Sequence, residues 1–157
     1  MREFASKNGT RFAVWTFVIA FALWDAAGAT RNPVFQEMIS LVGLVSVPLL
    51  LILAWTGWIR DARPEMPSWR NGLGLTSLVI TSLHWGSVML LLAAGLLGLA
   101  LGTHSNLIDQ DTMYAELLMK LADLLAVVLA VALKRGPRIQ AIVAGILMFA
   151  FGPAGYT

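Results

Sequence analysis

The stretch MISLVGLVSVPLLLILAWTGWI, residues 38–59, holds no Asp, Glu, Lys or Arg. A run of that length without charge is what a helix needs to cross a hydrocarbon layer of about 30 Å. A second and longer uncharged run, residues 71–108, follows after one short basic connector. Neither alternates polar and apolar residues as the strands of a membrane barrel do, and in hydrocarbon each backbone N–H and C=O must be paired within its own segment. The reading is therefore an all-α integral membrane protein, a single transmembrane helical domain over residues 1–157. Composition agrees: the chain is 58% hydrophobic and 13% charged, against about 25% charged for soluble domains.

Outward from these two runs, five spans are expected at residues 12–27, 38–59, 73–101, 113–133 and 139–156. Arg2, Lys7 and Arg11 precede the first, and Arg31 alone follows it. Arg60, Arg63 and Arg70 follow the second, no basic residue follows the third, and Lys134, Arg135 and Arg138 follow the fourth. Basic and non-basic loops thus alternate at every crossing, which the positive-inside rule reads as an N-terminus in the cytoplasm and a C-terminus outside, in a cytoplasmic membrane. The basic residues ahead of an apolar stretch, with Ala27-Gly28-Ala29 behind it, also imitate a signal peptide. The segment is read here as a helix. Trp15, Trp55, Trp58 and Trp69 fall at the expected inner interface and Trp24 near the outer one, leaving Trp85 deep in the third span.

The formal charge of +2 comes from these short basic clusters, so it reports orientation and gives no reason to expect a nucleic-acid partner. There is no cysteine. That excludes disulfides, thiolate metal sites, iron–sulfur clusters and covalent c-type haem attachment through this chain's own residues.

Three features inside the spans carry the functional reading. Glu116, Lys120 and Asp123 share one face of the fourth span, with Lys120 between the two carboxylates. They are read either as a proton or ion relay or as a structural triad that neutralises itself, the latter being the plainer reading. His84 lies near the middle of the third span beside Trp85 and the hydroxyls of Thr81, Ser82 and Ser87. It is expected to bond a neighbouring helix, with a chlorophyll-type pigment or haem as the cofactor alternative. A bis-histidine haem within one chain is excluded, because His104 lies about 30 Å further along at 1.5 Å per residue. Ala94, Gly98 and Gly102 form a small-residue ridge that predicts helix packing, with a shorter version at Ala141 and Gly145. Pro48 is expected to bend the second span, and Gly136-Pro137 to turn the chain between the last two.

No cluster of His, Asp, Glu and Ser at one depth suggests catalysis, so no enzyme is expected. The expected role is a non-catalytic accessory or assembly subunit of a larger membrane complex, such as a respiratory or photosynthetic one. Its partners would be the lipid bilayer and other transmembrane subunits. The alternative is a small oligomeric transporter or channel that uses the Glu116, Lys120 and Asp123 face as its path.

Overall fold

The computed structural model describes residues 2–30, 33–62, 67–100 and 110–151. Among these the chain is helical: α1 (Arg2–Thr30), α2 (Pro33–Gly57) with a π-helical turn at Trp58–Ala62, α3 (Ser68–Ala100), α4 (Gln110–Ala130) and α5 (Arg135–Phe151). Among the described residues three segments are long and apolar enough to cross a membrane: Asn8–Thr30, Glu37–Arg60 and Ser68–Gly98. The apolar part of α5, Gly136–Ala150, is shorter. α4 has the length, at 21 residues, but carries Glu116, Lys120 and Asp123 in its apolar stretch.

The first helix begins before the expected span and the last begins earlier than residue 139. The expected corner at Gly136-Pro137 is corrected: the chain turns at Val131–Leu133, and both residues sit in the first turn of α5. The turn closes by three-residue hydrogen bonds, from Val131 N to Val128 O, Ala132 N to Leu129 O and Leu133 N to Ala130 O. Proline is accommodated in a first helical turn because its missing N–H has no intrahelical acceptor there. The span end expected at residues 152–156 lies outside the described residues, as does Gly102.

α5 packs against each of the other four helices and so forms the centre of the bundle. What brings them close is a set of alanines: Ala13 and Ala20 of α1, Ala54 of α2, Ala130 of α4, and Ala141 and Ala144 of α5 are all buried. Lipid tails are as apolar as leucine, so hydrophobic transfer drives helix association weakly in a bilayer. Close approach of small residues and its dispersion energy take over. The leucines and aromatics that face outward, Trp15, Phe21 and Trp24 on α1 and Leu90, Leu96 and Leu97 on α3 among them, suit such a solvent.

The tryptophans expected at one interface divide. Trp15 and Trp69 are exposed, whereas Trp58 is buried and Trp55 half-buried; Trp24, expected at the other interface, is exposed. Trp55 and Trp58 meet edge to face at 5.8 Å between ring centroids. The indole N–H of Trp55 donates to Ser82 Oγ at 3.0 Å, joining α2 to α3.

A candidate functional site between α3 and α4

Gly74, Ser77, Thr81 and His84 follow one another along α3 in alternate steps of three and four, the spacing of a helix–helix seam, and all four are buried. Asp123, Ala126 and Ala130 of α4 repeat the pattern and continue to Leu133 in the turn, all buried as well. The two seams run antiparallel. Gly74 lies under the Leu133 side chain, Ser77 Oγ donates to Ala126 O at 2.7 Å, and Ser87 Oγ approaches Met119 Sδ at 3.9 Å. Between these contacts His84 meets Asp123. Small and hydroxyl residues at seam positions let the helices close up around the two ionisable groups, and Thr81 bonds within its own helix to Ser77 O. Ser77→Ala is expected to destabilise the bundle modestly, by about 0.6 kcal/mol as interhelical bonds in membranes average, read as a lowered unfolding midpoint in detergent.

His84 Nδ1 and Asp123 Oδ2 are 2.7 Å apart, with side-chain exposures of 6% and 0%. With the carboxylate ionised, Nδ1–H donates to Oδ2, which fixes the ring tautomer and leaves Nε2 as the nitrogen outside this bond. Ser87 Oγ donates to the backbone oxygen of His84 at 2.7 Å, so the residue is held at both its main chain and its ring. Asp123 Oδ1, by contrast, is buried with no hydrogen-bond partner among the described residues, and the indole nitrogen of neighbouring Trp85 is in the same condition.

The expected site residues are thus brought together only in part. His84 and Asp123 meet across two helices, and Asp123 turns its bonded oxygen to His84 rather than to Lys120. Lys120 is half-buried one turn further along α4. Glu116 lies on α4, but its side chain is outside the described residues. Ala94 is exposed and Gly98 half-buried, so the close packing within the bundle runs through other small residues. Asp25, near the far end of α1, is exposed and does not join the pair. His104 lies outside the described residues.

In the sequence alone His84 stands as a lone histidine and Asp123 as part of an intrahelical triad. The signal that joins them was available as the seam spacing itself, small or hydroxyl at Gly74, Ser77 and Thr81 against Ala126 and Ala130.

At the basic end of the pair, Arg70 Nε donates to Ala132 O at 3.2 Å and Arg138 Nε to Leu133 O at 2.8 Å. Both guanidinium groups therefore satisfy carbonyls left over at the turn after α4, where a helix C-terminus favours positive charge.

Chemically, a carboxylate-oriented imidazole can accept or donate a proton, or ligate a metal through Nε2 with the carboxylate holding the ring. Among the described residues no group of three or more His, Cys, Asp or Glu gathers to hold a metal ion by itself. No protein-family model, curated protein or solved structure matches the chain.

Proposed function

We propose that this chain is a five-span protein of the cytoplasmic membrane, N-terminus inside and C-terminus outside, that serves as a non-catalytic accessory or assembly subunit of a larger membrane complex. The observation that supports this reading is the use of the polar side chains within the bundle. Ser77 to Ala126 O, Trp55 to Ser82 and His84 to Asp123 all join one helix to another, which is what a packing protein requires of them. The orientation draws support from the meeting of Arg70 and Arg138 at the α4–α5 turn, since basic groups from two separate loops then share one end of the bundle.

Extraction in mild detergent followed by native electrophoresis tests the proposal: migration in a heteromeric band is the expected result, and migration as a small homo-oligomer overturns it. A complex of the energy-transducing kind would give His84 a pigment or haem to ligate through Nε2. In that case His84→Ala removes an absorption band from the purified complex, and an unchanged spectrum removes the ligand.

The unpartnered Oδ1 of Asp123 favours a second reading, transport of protons or ions along the α4 face of Glu116, Lys120 and Asp123. A buried ionisable group inside a membrane helix is costly and commonly marks such a path. On this reading Asp123→Asn abolishes coupled flux in reconstituted vesicles while the protein still inserts. Flux equal to that of the wild type rules it out.

A further inference from the structure

We propose that His84 and Asp123 together form a reversible proton-binding site in the interior of the bundle. The proposal deepens the transport reading by naming its ligand, but proton binding does not require that the chain conduct.

The two side chains share one hydrogen bond of 2.7 Å, which engages one of the two carboxylate oxygens and one of the two ring nitrogens. Asp123 Oδ1 and His84 Nε2 remain as basic atoms outside it. With neither protonated, the pair carries one negative charge in a fully enclosed position, the most expensive state for an apolar interior. One added proton makes the pair neutral. It can rest on Nε2, giving imidazolium against carboxylate. Alternatively, the Nδ1 proton passes to Oδ2 and the new proton stays on Nε2, giving a carboxylic acid beside a neutral ring. Either way one proton enters, no bond but N–H or O–H changes, and the net charge goes from minus one to zero.

Asp123 is closed off completely, while the His84 side chain retains 6% of its surface. Lys120 is the nearest charged residue along α4, half-buried about one turn from Asp123. α3 supplies no other ionisable side chain than Arg70, which is bonded to Ala132 O. α5 supplies Arg138, bonded to Leu133 O, and Arg135 at its first position. α2 supplies none between residues 38 and 59. An imidazole held by a carboxylate at one nitrogen, with its other nitrogen outside that bond, has the elements of a site whose occupancy is set by proton supply.

The test uses the full chain in lipid nanodiscs, labelled with 15N-histidine and carrying His104→Gln so that His84 is the only ring observed, together with infrared difference spectra between acidic and alkaline buffer. The expected result is a change of protonation in the His84 ring nitrogens, in a carboxyl band that disappears in Asp123→Asn, or in both. If neither group changes over the pH range in which the chain stays helical, the proposal is overturned. Should Asp123→Asn fail to fold, the ring spectrum of the His104→Gln protein decides: a titrating ring sustains the site and an invariant one overturns it. Titration without flux in vesicles keeps the proton site and removes transport.

Discussion

His84→Ala lowers the stability of the bundle by about 3–5 kcal/mol, the cost of breaking a buried pair and leaving its acidic member behind. Among the described residues Asp123 then has no partner on either oxygen, since Oδ1 already lacks one and Oδ2 loses the imidazole. The reciprocal change, Asp123→Ala, is expected to cost less, about 1–3 kcal/mol, because the ring left behind can be neutral. A hydrogen bond lost between two neutral groups in a membrane would account for only about 0.6 kcal/mol, so the order of the two variants separates a charged pair from an ordinary contact. Unfolding in mixed detergent, followed by circular dichroism, reads both. Replacing both residues with leucine is expected to recover most of the loss, since apolar replacement of a buried pair is often neutral or favourable. Equal losses in the two single variants would show that the pair is not charged.

Gly145→Ala is the second large effect, and its cause is steric. A Cβ at this position would lie 2.7 Å from Val127 Cγ2 and 3.9 Å from the Asp123 backbone oxygen. Valine in a helix has essentially one χ1 rotamer and cannot swing its methyl aside, so α4 and α5 must separate. Overpacking of this kind costs about 1–3 kcal/mol, and the upper part of that range is expected because α5 contacts every other helix. Val127→Ala combined with Gly145→Ala is expected to restore much of the stability by removing the clashing methyls. Absence of any recovery in the same unfolding assay would place the damage elsewhere than at this contact.

The long uncharged runs dictate helices because hydrocarbon leaves the backbone no other partner, and α2 and α3 follow them closely. Gly145 was legible as a packing residue from its spacing with Ala141. The corner between the last helices was displaced because Gly-Pro has two meanings, a turn or a first helical turn, and only the neighbouring turn hydrogen bonds decide between them. The partner of Asp123 was missed for a different reason. Lys120 is adjacent on the same helix at a spacing that a single helix reveals, whereas His84 is brought there by an antiparallel register that depends on where both helices begin and end.

The central place of α5 also has a consequence for the order in which this protein can mature. It leaves the ribosome after α1 to α4, yet Ala13 and Ala20 of α1 and Leu50 of α2 are packed against its Ala144 and Leu147. The earlier helices can enter the membrane one by one during synthesis, but the cluster that joins α1 and α2 to α5 has no third wall until α5 follows. Closure of the bundle is therefore a late event, separated in time from insertion, and a chain stalled before residue 135 presents the quality-control machinery with membrane-embedded helices that have not yet acquired their common neighbour.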